Sequence, residues 1–277
     1  MKTVLVTGSD GFVGRLLVAR LRKKFKVVCF DVSHGKDVTR FKDFTSVGKV
    51  DVVVHLAGLT FVPDARDRPL DFFNVNVMGT YNVAEFCRLR KAKLIFASSY
   101  LYGHPTYLPI DEEHPLDLYN PYAMSKYLAE EGIAYYEEEY GLQAICLRFF
   151  NIYGSGQNDN FLIPKIVSQL KKGKITLHDA KPKRDFVHVE DVVSAYVKAL
   201  SFTGSGVFNI GSGKSYSVQE IVDRLVELSG KKVKVSYSGK RRKNEVMDCV
   251  ANISKAKRLL KWKPSIDIDT GLRMMLG

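Results

Sequence analysis

The sequence predicts an α/β protein: a doubly wound parallel sheet followed by a smaller α+β part. Three observations carry this. Continuous apolar runs alternate from the first residue with segments of helical period, the pattern of strands buried on both faces. Gly8, Gly11 and Gly14 punctuate the first strand-to-helix junction. The alternation loosens after residue 150, where Gly, Ser and Asn crowd into NIYGSGQNDN (151–160).

The strands in order are TVLVTG (3–8), KVVCFD (26–31), VDVVVHLAG (50–58), KLIFASS (93–99) and LQAICLRFF (142–150). Helices are predicted near 12–24, 70–90 and 121–140. Strands so separated join through right-handed crossovers into a parallel sheet covered on both faces. Beyond the crossing at 151–160 come a helix from about 189 to 202, a strand GVFNIG (206–211) and a helix from about 217 to 229. A short helix in NISKAKRLLKWKPS (252–265) stops before Pro264.

At 277 residues, with 45% hydrophobic and 26% charged residues, the chain can bury a sizeable core, and disorder is not the default. No apolar run approaches the roughly 18–20 residues of a membrane span, and Met1-Lys2 leads directly into VLVTG without a signal pattern. A soluble, cytoplasmic protein is expected. Cys29, Cys87, Cys146 and Cys249 stand at separations that suit neither a CxxC pair nor a zinc site, so reduced thiols and no metal are expected. The net charge of +12 is uneven: residues 1–163 hold 19 Lys/Arg and 19 Asp/Glu, whereas 164–277 hold 23 and 11. Such a field could attract a phosphorylated small molecule, a nucleic acid or an acidic membrane. KKGK (171–174) and KKVK (231–234) also read as solvated turns and strand edges.

The first strand runs into TGSDGFVG and opens a helix FVGRLLVARL. Glycines are needed where the backbone turns sharply, approaches a pyrophosphate and packs a helix on a strand, and the helix N-terminus offers free N–H groups to the anion. Asp31 ends strand two, twenty residues after Gly11, where a carboxylate binds both ribose hydroxyls of an adenosine and repels a 2′-phosphate. No Arg lies within the next few positions, which favours NAD over NADP. The bland alternative is that Asp31 merely caps a turn.

The glycine spacing with its initial Thr resembles the extended short-chain dehydrogenase/reductase family, in its nucleotide-sugar epimerase, dehydratase and reductase branch. The resemblance runs along nearly the whole chain. Asp37-Val38 resembles the pair that approaches the adenine, HLAG (55–58) the strand end beneath the cofactor, and NVNVMGT (74–80) the helix whose Asn76 supports the central strands. RFFNIYG (148–154), RDFVHVEDV (184–192) and FNIGSG (208–213) follow in order. The resemblance implies a Rossmann domain of residues 1–150 with about 186–211, and a substrate domain of about 151–185 with 212–277. It places NAD against Gly8, Asp10, Gly11, Phe12, Val13, Gly14, Asp31, Asp37, Val38, Leu56, Ala57, Gly58, Asn76, Tyr122, Lys126 and Phe149.

FASSYLYG (96–103) ends strand four at the carboxyl edge of a parallel sheet, where ligands bind in open α/β folds. In the family, the residue four before the Tyr of the Tyr-Gly pair is the catalytic Ser or Thr; counting back from Tyr102 gives Ser98. A serine that merely satisfies a strand-end carbonyl fits Ser99 better. In NPYAMSKYLAE (120–130), Tyr122 and Lys126 lie four apart on one helix face, where an ammonium would lower the phenol's pKa from about 10. Pro121 suits the first turn and Asn120 the cap.

The family's chemistries exchange hydride between nicotinamide and a sugar carbon, with Tyr122 in this chain moving the hydroxyl proton. Dehydratases add an Asp-Glu pair directly after the catalytic Thr; here those positions are Ser99 and Tyr100, which disfavours dehydration. Epimerisation needs no additional acid, and HLAGLTFVPDARDRPLDFFNVNV resembles the corresponding stretch of UDP-glucose 4-epimerases. The short span from Asp31 to Asp51 is closer to 4-keto-sugar reductases, which use the same residues once with external NAD(P)H. Substrate contacts implied by the resemblance are Ser99, Asn151, Leu162, Arg184, Arg242 and Glu245; the family's Arg-Pro-Gly-Asp-Val becomes RKNEV (242–246), which unsettles the base specificity. Arg241 could substitute for Arg242. His188 reads as a structural histidine at the domain junction. Some relatives with this fold act as RNA-binding or redox-sensing proteins without catalysis, but the serine, tyrosine and lysine are all present, and the cationic runs lack interleaved aromatics. A nucleotide-sugar substrate, no nucleic acid or membrane partner, and a homodimer through helices 70–90 and 121–140 are expected.

Overall fold

The computed structural model describes residues 1–240 and 244–277. Its strands, in chain order, are β1 (Thr3–Thr7), β2 (Lys26–Phe30), β3 (Val52–His55), β4 (Lys93–Ser99), β5 (Ala144–Phe149), β6 (Asn151–Tyr153), β7 (Lys174–Leu177), β8 (Lys183–His188), β9 (Gly206–Ile210), β10 (Ser215–Ser217) and β11 (Lys234–Tyr237). Its helices are α1 (Phe12–Leu21), α2 (Val62–Asp67), α3 (Pro69–Phe72), α4 (Gly79–Arg90), α5 (Pro121–Tyr140), α6 (Leu162–Lys171), α7 (Val189–Ser201), α8 (Val218–Ser229) and α9 (Ile268–Leu276).

Six strands form one parallel sheet in the order β2-β1-β3-β4-β5-β9. The order reverses at β1, which pairs with β2 on one side and β3 on the other, so the crevice beyond their carboxyl ends is where such a sheet binds ligands. Alternate residues of each strand feed two cores. Val4, Val6, Ile145 and Leu147 meet Leu17 and Leu21 of α1 and Val192 of α7. On the other face, Leu5, Val53, Leu94 and Phe96 meet Val83 and Cys87 of α4 and Ala129 and Ile133 of α5. Each such side chain contributes about 1.5–3 kcal/mol on burial, so these stripes rather than helix propensity hold the helices to the sheet.

The remaining strands form a three-stranded sheet, β10-β8-β6, and a parallel pair, β7 with β11. A third core, including Ile163 and Ile166 of α6, Ile221 and Leu225 of α8, Leu272 of α9 and Ile175, binds this part together. The chain returns from it to the large sheet through α7 and β9. KKGK and KKVK flank β7 and β11, and Lys174 pairs with Lys234.

Several boundaries move from the sequence expectation. The helix expected over 12–24 ends at Leu21, and the one over 70–90 is broken: α3 enters α4 through a π-helical turn at Phe73–Met78. The tail helix closes in a second π turn at Ala256–Leu260, before Lys261 takes a left-handed conformation. Between β2 and β3 there are only two 3-10 turns, Val32–His34 and Phe41–Phe44. The short strands β6, β7, β8, β10 and β11 were not legible, because three to six residues give too few periods to detect, and the helices α6 and α9 are additional to those expected. All four cysteines are free, and no helix of the described residues is long and apolar enough to cross a membrane.

Candidate active site

The glycine loop is built by close approach. Gly8 has φ +66°, and a Cβ there would lie 2.7 Å from the Ala57 amide nitrogen. A Cβ on Gly14 would stand 2.1 Å from the Gly8 carbonyl oxygen, so only glycine lets α1 seat this near β1. Gly11 caps α1 without any side-chain acceptor, which leaves the first N–H groups of the helix turned toward the cleft for an anion. Phe12 and Val13 line the same cleft.

Asp31 Oδ2 accepts from the Asp10 amide at 3.0 Å and Oδ1 from the Ser33 amide at 3.1 Å. It therefore does cap a turn, and neither it nor Asp10 lines the cleft. Asp10 accepts from the Ser33 hydroxyl at 2.5 Å and pairs with His34 Nε2 at 3.0 Å; the Ser33 hydrogen bond, above the other contacts, holds its carboxyl below the ordinary range. Asp37 is spent locally on Thr39, and buried Val38 packs beside Gly79 at the start of α4. Neither lines the cleft.

Leu56 and Gly58 do line it, as does Phe149 at the end of β5. The Ala57 amide donates to Thr7 Oγ1 at 3.3 Å. Asn76 is buried with its amide committed: Oδ1 accepts from the Leu59 amide at 2.8 Å, and Nδ2 donates to Leu59 O and to Ser125 Oγ. It ties the loop after β3 to α5 rather than supporting the strands directly, and it does not line the cleft.

The cleft has a volume of 640 Å³, within the range of small-molecule sites. At its floor stand Ser98, Ser99, Tyr122 and Lys126. Asn120 caps α5 as expected, its Oδ1 accepting from the Ala123 amide at 2.9 Å. Lys126 Nζ donates to the Ala97 carbonyl at 2.9 Å, and a Cβ on Gly58 would come within 3.3 Å of it. Burial brings Lys126 down to about 8, with Glu130 working against that loss of charge.

Two expectations are corrected here. The Tyr122 phenol lies above its ordinary value: burial raises it, and a hydrogen bond with Ser99 is what works in the other direction. Lys126, turned to a carbonyl, does not perform that task in the free protein. The two serines also divide differently. Ser98 Oγ is buried and has no hydrogen-bond partner, while Ser99 is the serine that reaches the tyrosine. A strand sends successive side chains to opposite faces, and the resulting row Ser98–Arg148 follows the β4–β5 register.

From the second half, Asn151 enters the cleft and its Oδ1 is buried without a partner. Leu162 opens α6 and packs against the third core. Arg184 does not line the cleft: Nη1 donates to the Lys183 and Val246 carbonyls at 2.7 and 2.6 Å, and Nη2 pairs with Glu245. Arg241 and Arg242 lie outside the described residues. His188 caps α7 through Nδ1 and sets its ring edge-on to Tyr153.

Sequence reasoning missed other lining residues. Gln157 presents a buried Oε1 without a partner, and Phe61 and Phe161 meet edge-on, 5.9 Å apart, from opposite sides of the cleft. Arg68 also lines the cleft, paired with Asp64 at 3.3 Å. None stands in a motif with recognisable spacing. Among the described residues no cluster of His, Cys, Asp and Glu could hold a metal.

A glycine-built cradle opens on a cleft lined by Ser98, Tyr122 and Lys126, residue types suited to dinucleotide-dependent hydride transfer. The chain belongs to the NAD dependent epimerase/dehydratase family, whose model matches residues 4–211. It is 34% identical to the UDP-glucose 4-epimerase of Bos taurus over 96% of this chain and 93% of the other. It is 31% identical to the GDP-6-deoxy-D-mannose reductase of Pseudomonas aeruginosa, over 99% and 96%. The UDP-glucose 4-epimerase of Thermotoga maritima, solved with UDP-glucose, superposes with a TM-score of 0.92 at 25% identity, covering 99% of this chain and 97% of that one. The cofactor is NAD, and the glycine cradle, where a Cβ on Gly8 or Gly14 would meet backbone, fits it.

Proposed function

We propose that the protein is a nucleotide-sugar 4-epimerase that inverts C4 of a UDP-hexose through a transient 4-keto sugar, with NAD retained. The observation that carries this is the make-up of the cleft floor. Ser98, Tyr122 and Lys126 converge there, but positions 99 and 100 offer no carboxylate, and the cleft's Asp64 and Asp117 are already paired with Arg68 and His104. Loss of water needs an acid for the departing hydroxyl; inversion of a hydroxyl does not.

In this reading Gly8, Gly11 and Gly14 hold the pyrophosphate and Asp31 the adenosine ribose. Tyr122 takes the C4-hydroxyl proton, Ser98 holds that oxygen in line, and Lys126 secures the nicotinamide ribose. Bound NAD would supply the hydride acceptor and donor at C4, and the residues above would hold it there. Segments 151–185 and 212–277 take the nucleotide, with Asn151 at the cleft, Leu162 behind it at the start of α6, and Arg184 orienting Glu245. A homodimer through α4 and α5 would cover the exposed Leu89, Tyr135 and Tyr140; Leu89→Glu with Tyr135→Glu should leave monomers in sedimentation velocity.

A second reading, reduction of a nucleotide-4-keto-6-deoxyhexose, is supported by the missing strand between β2 and β3 and by the likeness to the Pseudomonas reductase. The deciding experiment incubates the protein with UDP-, GDP- and dTDP-sugars without added cofactor and identifies the products by NMR. Inversion without external nicotinamide supports the epimerase. Strict dependence on NAD(P)H supports the reductase.

A further inference from the structure

We infer that Glu130, clamped by Arg148, is a positioning residue for Lys126: a buried carboxylate one helical turn behind the lysine that supplies its counter-charge and fixes where its ammonium points. The inference rests on the reading that Tyr122 and Lys126 carry hydride chemistry.

The geometry begins with α5. Lys126 and Glu130 are four residues apart on one face and are 3% and 7% exposed. An ammonium so buried needs an opposite charge nearby or it sheds its proton. The groups packed about Lys126 offer few. From β4 come the Ala97 carbonyl and the Phe96 ring, whose centroid is 4.8 Å away. From β3 comes His55, which burial, aided by the charge of Lys126 itself, keeps neutral by bringing it down to about 3. The π turn gives the neutral Asn76 amide near Gly58, and α5 gives the Tyr122 phenol, raised by burial. From β5, the Cys146 thiol, which burial also keeps protonated, and Arg148 face Glu130 rather than the lysine. Glu130 is the carboxylate whose charge acts on the lysine, against the burial that brings it to about 8.

Glu130 is itself held by three hydrogen bonds, all from Arg148. Arg148 Nε donates to its two oxygens at 3.0 and 3.1 Å, and Nη2 donates at 2.6 Å. Arg148 Nη1 donates to the Tyr102 hydroxyl at 3.0 Å, which donates to Asn209 Oδ1 at 2.7 Å. Burial works against the guanidinium, and the hydrogen bonds and charge of Glu130 outweigh it. In the sheet, Arg148 stands in register between Ser98 of β4 and Asn209 of β9. The clamp is therefore anchored in the strand row that carries the candidate catalytic serine. A staple between α5 and β5 needs no charge, since buried ion pairs are commonly replaced by apolar residues without loss of stability. A lysine counter-charge must be charged, and it must be held still.

The test reads Lys126 directly. Protein carrying 13Cε-lysine is titrated by NMR, the Lys126 signal being identified by its loss in Lys126→Met. In the double variant Glu130→Gln/Arg148→Met, which removes both members of the Glu130–Arg148 ion pair together, the Lys126 midpoint should fall so that its neutral-to-charged ratio at a given pH rises about tenfold. The alkaline limb of the kcat profile should move to lower pH with it. A parent-like midpoint in the folded double variant overturns the inference. Should that variant not fold, Glu130→Gln/Arg148→Gln is titrated in its place, and an unmoved Lys126 midpoint in it overturns the inference. Absence of turnover on every sugar nucleotide, with the Lys126 midpoint moved, counts against the proposed reaction and supports the clamp.

Discussion

Burial raises the Tyr122 phenol, and in the free protein the Ser99 hydrogen bond is what works against that rise. Tyr122→Phe should lower kcat by about 10²–10⁴ while NAD binding, followed by fluorescence titration, stays close to the parent. Ser98→Ala should cost about tenfold or more in kcat/KM, since its unpartnered hydroxyl is free for substrate, whereas loss of a purely structural serine would leave turnover unchanged. His55 gives a stability prediction. Its Nδ1 and Nε2 meet the Thr7 and Thr80 hydroxyls at 2.7 and 3.0 Å, and burial depresses it from 6.5 to about 3 in the folded chain. Between those values the unfolded chain binds the additional proton, so stability falls as pH drops below 6.5, by up to about 1.4 kcal/mol per pH unit. His55→Gln should flatten that slope in urea titrations at pH 7 and pH 5.

At the scale of elements, the first βα turn is the least forgiving. Gly14→Ala would put a methyl 2.1 Å from the Gly8 carbonyl and 2.7 Å from the Ser9 carbonyl, both backbone and unable to move aside. It should cost about 3 kcal/mol or more in urea denaturation and abolish NAD binding. Gly48→Ala, where nothing lies within 4 Å, should change neither. The long elements were legible in the sequence because their signals are redundant: α5 begins at its Asn-Pro cap and ends at Gly141 in a left-handed conformation, and β1 to β5 read as continuous apolar runs. The short strands of the second half have no such redundancy. They exist because Tyr153, Ile175 and Phe186 reach a core supplied by α6, α8 and α9, which no local window contains.

Across the whole molecule, the cleft joins the carboxyl edge of the large sheet to residues of the second half, Asn151, Gln157 and Phe161 among them. NAD binding should therefore raise the unfolding temperature, and a nucleotide sugar should raise it further only when NAD is present, if the cofactor forms the floor on which the sugar rests; differential scanning fluorimetry checks both. Among the described residues, the basic excess of the C-terminal part does not converge on the cleft. The cations that line it are Lys126 and Arg68, and Arg184 is turned to Glu245 and backbone carbonyls.

By itself the sequence determined the parallel sheet, the glycine cradle, Asp31, and the Tyr122–Lys126 spacing, because each depends on residues near one another in the chain or on a fixed helical or strand period. Only the tertiary structure decided which serine lies free and which touches the tyrosine, where Lys126 points, and that Glu130 and Arg148 meet behind it. Those outcomes depend on register between strands and on burial, which set hydrogen-bond partners and charge states across 18 to 107 positions of chain.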